Sequence, residues 1–194
     1  MTKKDVFVAK PNSTADRGLK VCVFCSANDL DKKYVKPAQE LATLLAQNGH
    51  TLVYGGSDNG LMKVMASGVQ AGGAKVVGVS VEYLRDVAKK DADEMHFAKD
   101  LSERKALMLE LADVLVVLVG GIGTLDEVTE VMEHKKHGHH DKPIIILNTD
   151  GFYDGFRTQL TRMEKEGFFW HPLDEYVRFC ETPQEVINSI ASLS

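Results

Sequence analysis

Three cysteines are all that this chain contains, Cys22, Cys25 and Cys180. So low and odd a number supplies no disulfide framework and suits a reducing compartment. Cys22 and Cys25 do stand at a C-x-x-C spacing, but in what reads as a strand, where residues three apart face opposite sides. A redox pair sits at a helix N-terminus instead, so both are read as core or site-lining thiols. No apolar run is long enough to cross a bilayer, and Val6-Phe7-Val8-Ala9 is too short for the apolar core of a signal peptide. These absences set the expectation of a cytoplasmic protein without membrane association. Long basic runs are missing too, and the formal net charge is -5, which argues against a general binder of nucleic acid or membrane surfaces. Neither an internal repeat nor a domain linker can be found.

What is present fits one folded unit. The 194 residues are 44% hydrophobic and 26% charged, a globular balance with enough chain for a sizeable core. Residues 1–18 are mixed and polar with no sustained period, so a flexible N-terminal arm is expected there. A single domain is expected over residues 19–194.

The chain is organised around Val114 to Glu127. Val114 to Val119 is apolar without alternation, as in a parallel strand covered on both faces. Gly120, Gly121 and Gly123 allow a sharp turn and a close approach to a ligand. Thr124 reads as a helix N-cap, which puts Asp126 and Glu127 in the first turn, where the helix dipole favours negative charge. The free N–H groups at that helix start offer a cradle for phosphate. A lone glycine turn is more often an ordinary strand–helix connection.

Elsewhere strands are expected at Leu19 to Cys25, Thr51 to Tyr54, Lys75 to Val81, Met95 to Ala98, Ile144 to Leu147 and Tyr176 to Phe179. Helices are expected at Tyr34 to Asn48, Leu61 to Ala71, Leu101 to Ala112, Leu125 to about Lys136, Tyr153 to Lys165 and Pro183 to Ile190. Gly49 stops the first of these helices, and Pro183 suits a first helical turn. Tyr83 to Ala92 is mixed, with a short helix. This alternation gives an α/β, three-layer fold with a mainly parallel sheet. In open parallel sheets ligands bind outside the carboxyl ends of the strands. Three loops leave those ends with suitable chemistry, Ser26 to Asp29, Gly55 to Gly60 and Gly120 to Thr124, and their convergence would make one nucleotide-like pocket.

Taken together, these segments resemble a known family. Gly120-Gly121-Ile122-Gly123-Thr124-Leu125-Asp126-Glu127 is similar to the proline-glycine-glycine-x-glycine-threonine-x-x-glutamate signature of the LOG family, the cytokinin riboside 5′-monophosphate phosphoribohydrolases often mislabelled lysine decarboxylases. Cys22-Val23-Phe24-Cys25-Ser26 resembles the family's first strand and loop. Tyr54-Gly55-Gly56 with Gly60-Leu61-Met62 resembles its second glycine loop, and Glu103-Arg104-Lys105-Ala106-Leu107-Met108 its arginine-lysine helix. Lys142-Pro143, Leu147-Asn148 and Gly151-Phe152-Tyr153 follow in the same order. The resemblance covers roughly Val21 to Ile190.

It implies a Rossmann-like homodimer that hydrolyses the N-glycosidic bond of a nucleoside 5′-monophosphate, AMP or an N6-modified AMP such as a cytokinin nucleotide, to free base and ribose 5-phosphate. No metal and no organic cofactor are implied. The catalytic arginine and glutamate fall on Arg104 and Glu127. Substrate contacts fall on Ser26, Gly56, Lys105, Gly120, Gly121, Ile122, Gly123, Thr124 and Asp126. The chemistry agrees with this assignment. Departure of the base leaves positive charge on the ribose, which a fixed carboxylate at Glu127 could stabilise while orienting water. Arg104 could grip the phosphate or hold the carboxylate ionised, and Lys105 would add charge for the phosphate. Each alone is more commonly a solvated helix residue. Decarboxylation with pyridoxal phosphate needs a Schiff-base lysine and a ring partner, and no lysine stands out for it.

The chain departs from the family pattern at Val119 (for proline), Ser57 (for glycine) and Ser80-Val81 (for isoleucine-proline). His134 and Lys136 stand where members active on cytokinin nucleotides often carry tryptophan and glutamine, a segment that shapes the base end of the pocket. A plain purine nucleotide is therefore a serious candidate substrate. His134, His137, His139 and His140 form a local cluster, read as a solvated basic loop rather than a zinc site. Trp170, Phe168, Phe169, Phe152 and Tyr153 are read as core or dimer contacts. Two other readings stand beside hydrolysis. One is a nucleotide-binding or sensing protein that kept the fold without the chemistry. The other is a related enzyme acting on a different phosphorylated sugar or nucleotide.

Overall fold

Runs such as Val114–Val117 and Ile144–Leu147 are buried along their whole length, which requires cover on both faces of the sheet they enter. The computed structural model describes residues 18–193, and the expected N-terminal arm, Gly18 apart, lies outside them. The order is β1 (Lys20–Phe24), α1 (Lys32–Gln47), β2 (Thr51–Tyr54), α2 (Gly60–Ala71) and β3 (Val76–Val81). A 3₁₀ turn (Glu82–Val87) leads to β4 (Glu94–Ala98), α3 (Leu101–Leu111), β5 (Val114–Val117), α4 (Ile122–Lys136) and β6 (Ile144–Leu147). A second 3₁₀ turn (Thr149–Gly151) precedes α5 (Asp154–Lys165), α6 (Leu173–Tyr176), β7 (Arg178–Cys180) and α7 (Pro183–Ala191).

The seven strands are ordered β4-β3-β2-β1-β5-β6-β7, and each strand pairing is parallel. Helices α1, α2 and α7 cover one face through Leu41, Leu45, Met65, Val69 and Ile190. The other face carries α3, α4, α5 and α6, through Met108, Val128, Leu160 and Tyr176. This is the three-layer arrangement that the alternation implies, and it is Rossmann-like, as the family resemblance implies. Each fully buried leucine or isoleucine contributes roughly 1.5–3 kcal/mol by leaving water. Cys22 packs into one core and Cys25 into the other, as strand alternation demands. The chain runs outward from β1 in one direction through β2, β3 and β4, and resumes with β5 on the other side. The carboxyl ends of β1 and β5 therefore flank the point where connections diverge, the usual place for a ligand.

Two elements differ from the sequence reading. Helix α4 begins at Ile122, three residues before Leu125, with Gly121 as its extended N-cap. Thr124 does not cap it. Its side chain packs so closely on Gly120 that a Cβ there would lie 2.0 Å from Thr124 Oγ1, and no acidic residue falls in the first turn. The absent Cβ of Gly120 lets the helix start early, and Asp126 and Glu127 move past the first turn. Near the C-terminus, Tyr176 closes α6 instead of opening a strand, and β7 starts at Arg178. Pro172 precedes α6, and the Glu164 carboxylate accepts from the Leu173 amide at 2.7 Å, which together favour a helical turn there.

Candidate active site

The three loops converge at the carboxyl ends of β1, β2 and β5. The Ser26 amide donates to the Val119 carbonyl at 3.1 Å and the Met62 amide to the Ser26 carbonyl at 3.2 Å. Gly60, at φ +54°, comes so near the first loop that a Cβ would sit 2.3 Å from the Asn28 carbonyl oxygen. Glycine is required there for both its positive φ and this approach. Ser26 is buried, and its hydroxyl accepts from the Asn28 amide at 2.9 Å, bracing the loop.

Over this floor stand Arg104, from α3, and Glu127, from α4. Arg104 Nη1 lies 3.3 Å from Glu127 Oε1, with side chains only 11% and 6% exposed. Arg104 Nε donates to the Val79 carbonyl at 2.9 Å, which fixes the guanidinium plane. Its other nitrogen, Nη2, occupies the space a Cβ on Gly55 would take, 2.2 Å away. Of the two roles open to Arg104, the geometry displays the one toward Glu127. Burial pushes the Glu127 carboxyl up to about 7; Arg104 and Lys105 pull it down, and Asp126 adds to the rise. A buried carboxyl poised near neutrality can both take and give a proton under ordinary conditions.

Helix α4 carries no side-chain cap at its start. The Leu125 amide bonds to the Gly121 carbonyl at 3.1 Å, so the Ile122, Gly123 and Thr124 amides precede the first intrahelical partner. Among the described residues, nothing beyond the adjoining chain lies within 4 Å of where a Cβ on Gly121 or Gly123 would be, and Ile122 is 81% exposed. An open helix N-terminus of this kind attracts an anion. Gly56, at φ +76°, packs on Ser80 and Met95.

Lys105 and Asp126 are brought together, but with each other. Lys105 Nζ lies 2.8 Å from Asp126 and 2.5 Å from Glu130. Burial lowers the Lys105 pKa, and the hydrogen bonds to the two carboxylates more than reverse that, leaving it raised. Lys105 thus forms a bracket between α3 and α4. His134 and Lys136 stand seven and nine residues beyond Glu127, roughly 10 and 13 Å along the helix axis. His134 meets His139, and Lys136 lies over Trp170. Within one chain, then, they do not reach the Arg104–Glu127 pair. His140 bridges the Val131 carbonyl and the Lys142 amide, a bracing role. Among the described residues, no group of three or more His, Cys, Asp or Glu could hold a metal ion. Phe168 and Trp170 are exposed, at 64% and 62%, so neither is core, whereas Tyr153 is buried. A cavity of about 130 Å³ between Lys135, Pro143, Tyr176 and Ser189 opens where β6 begins, away from the glycine loops.

Several contributors were not singled out in the sequence. Gly55 stood in a visible glycine pair but clears space for Arg104. The Val79 carbonyl, Met62 beside Gly55, and Glu130 carry no sequence signal for their roles.

A family described as "Possible lysine decarboxylase" matches residues 62–190. The chain is 35% identical over 178 residues to the "Probable cytokinin riboside 5'-monophosphate phosphoribohydrolase LOGL2" of Oryza sativa subsp. japonica, covering 90% of this chain and 73% of that one. It is 36% identical over 171 residues to the "Cytokinin riboside 5'-monophosphate phosphoribohydrolase LOG" of the same plant, covering 87% and 71%. The similarly named LOG3 of Arabidopsis thaliana is 32% identical over 174 residues, covering 88% and 81%. Among solved structures, the molybdenum cofactor binding protein of Rippkaea orientalis superposes with a TM-score of 0.73 at 21% identity, covering 92% of this chain and 98% of that one. The molybdenum cofactor carrier protein of Chlamydomonas reinhardtii gives 0.70 at 22%, covering 91% and 98%. At those identities the likeness is one of fold.

Proposed function

This chain belongs to the LOG family, and from that premise we propose that it hydrolyses the N-glycosidic bond of a purine nucleoside 5′-monophosphate, AMP or an N6-modified AMP, releasing the base and ribose 5-phosphate. The observation that carries the reading is the buried Arg104–Glu127 pair at 3.3 Å, one helical turn beyond the uncapped start of α4. The 5′-phosphate would lie on the Ile122, Gly123 and Thr124 amides, where the helix dipole favours negative charge. As the C1′–N bond breaks, its electron pair leaves with the base and positive charge grows on the ribose. Glu127, ionised, would face that charge and accept a proton from the water that attacks C1′. The water's hydroxyl ends on C1′ and the proton on the base nitrogen. Arg104 opposes the effect of burial and so keeps a working fraction of Glu127 ionised at neutral pH.

Amino-acid decarboxylation finds no support in the same geometry. Lys105, the lysine beside the pair, is bound to two carboxylates, whereas a Schiff-base lysine must be available as a free amine. The reading includes a homodimer, which the family resemblance implies. It also includes a cytoplasmic location, which the low, odd cysteine count suits.

The test is product analysis by liquid chromatography after incubation with AMP, GMP, CMP, isopentenyladenosine monophosphate and the matching nucleosides. Free base together with ribose 5-phosphate, from monophosphates alone, is expected. Thermal stabilisation by a monophosphate without any base released would instead make this a nucleotide sensor.

A further inference from the structure

The turn that launches α4 is held from two sides, and one of the holds comes from the far end of the chain. Strand β5 ends at Val117, so the peptide groups of Leu118 to Gly120 leave the sheet ladder before the helix can take them up. On the β1 side the Leu118 amide donates to the Phe24 carbonyl at 2.9 Å and the Ser26 amide to the Val119 carbonyl at 3.1 Å. On the other side the Tyr153 hydroxyl donates to the Leu118 carbonyl at 2.8 Å.

Tyr153 is itself fixed. Its ring is buried in the core that also holds Val117 of β5 and Val128 of α4. Its amide donates to Asn148 Oδ1 at 2.7 Å. The Asn148 side-chain amide donates to Asp154 at 2.8 Å, and the Asn148 backbone amide to the Cys180 carbonyl at 2.8 Å. Burial drives the phenol pKa upward, so the hydroxyl remains a neutral donor. The end of β6 is thereby tied to the turn after β5.

We propose that Tyr153 is a positioning residue for the reaction: through the Leu118 carbonyl its hydroxyl sets the Leu118–Gly121 turn, and with it both the α4 amides that receive phosphate and the placement of Glu127. Removing the hydroxyl leaves a buried carbonyl without its donor, and the turn can relax away from β1 while the core stays filled by the ring. A displacement of well under 1 Å at the helix start is transmitted along α4, and catalysis depends steeply on such placement. The inference rests on the hydrolase reading for its kinetic form, but not for its ligand-binding form.

The experiment uses the full chain with Tyr153→Phe, and Tyr176→Phe as the control. Tyr176 lies in the same core and its hydroxyl accepts from the His171 amide at 3.2 Å, away from the turn. Steady-state kinetics on AMP, melting temperature and AMP affinity by calorimetry are measured for both. Tyr153→Phe is expected to lose roughly tenfold in kcat/KM, with KM raised as well as kcat lowered, at a melting temperature close to that of Tyr176→Phe. Unchanged kcat and KM in Tyr153→Phe, with only the melting temperature lowered, would overturn the proposal. If the native chain shows no turnover, the hydrolase reading fails separately; AMP affinity then decides, weaker binding by Tyr153→Phe supporting the positioning role and equal binding overturning it. Should Tyr153→Phe not fold, Asn148→Ala, which removes the acceptor for the Tyr153 amide, carries the same measurements.

Discussion

Arg104 and Glu127 meet 3.3 Å apart although they come from different helices, and the carboxyl of the pair is still pushed up to about 7. Burial outweighs the attraction of the neighbouring guanidinium, so the charge on Glu127 is adjustable around neutral pH. This balance links the fold to the proposed chemistry, and it can be shifted one residue at a time.

Arg104→Met removes the opposing charge while keeping much of the volume. The Glu127 carboxyl then rises above its native value, and the ionised form is reached only at higher pH. The acidic limb of the kcat/KM profile, expected near pH 7 in the native chain, moves upward, and activity at pH 7 drops by about 100-fold or more. A profile with its midpoint unmoved would separate Arg104 from the ionisation of Glu127.

The same carboxyl reports on stability. Its folded pKa of about 7 exceeds the ordinary 4.5, so the folded state holds a proton that the unfolded state has released between those values. Stability therefore falls as pH rises from about 4.5 to 7, by on the order of 3 kcal/mol from this group. Glu127→Gln lacks that component. The stability difference between native chain and variant, from urea unfolding at pH 4.5 and pH 8, should change by this amount in favour of the variant at pH 8. A difference constant with pH would contradict the raised pKa.

Gly55→Ala places a methyl group where Arg104 Nη2 and Met62 Cε now lie, at 2.2 and 2.7 Å. Arg104 must swing from Glu127, since both obstacles are ends of flexible side chains rather than backbone. A small loss of stability, about 1 kcal/mol, should accompany a large loss of turnover, and comparison of melting curves with initial rates checks it. Native-like turnover would show that Arg104 can do its work from elsewhere.

Lys105→Met cuts the bracket to Asp126 and Glu130. Both acids are substantially exposed, at 56% and 33%, so the stability loss should stay below about 1 kcal/mol. Because Lys105 is already committed to these carboxylates, KM for AMP should change less than about threefold. A rise of tenfold or more would instead return Lys105 to the phosphate, as the sequence resemblance suggested.

Much of this was legible in the chain itself. Ile144–Leu147 and Thr51–Tyr54 were readable to the residue because apolar runs between turn signals admit few alternatives. Arg104 and Glu127 emerged from the family resemblance and are found together. The start of α4 is not legible in the sequence, because Thr124 has the chemistry of a cap, whereas the contact that removes it from that role, against Gly120, depends on the turn already being formed. Lys105 shows another limit: its partners Asp126 and Glu130 lie on the next helix, and nothing in the local sequence says that both will reach it. The distance of His134 and Lys136 from the pair follows from helix rise alone.

The most direct measurement is the rate of base release from the monophosphate that the native chain cleaves fastest, compared between native chain and Glu127→Gln at saturating substrate. The expected result is equal amounts of base and ribose 5-phosphate from the native chain, and a release slower by about 100-fold or more from a variant that folds and binds the nucleotide. Release at the native rate from folded Glu127→Gln would contradict the assignment of this carboxylate to the reaction.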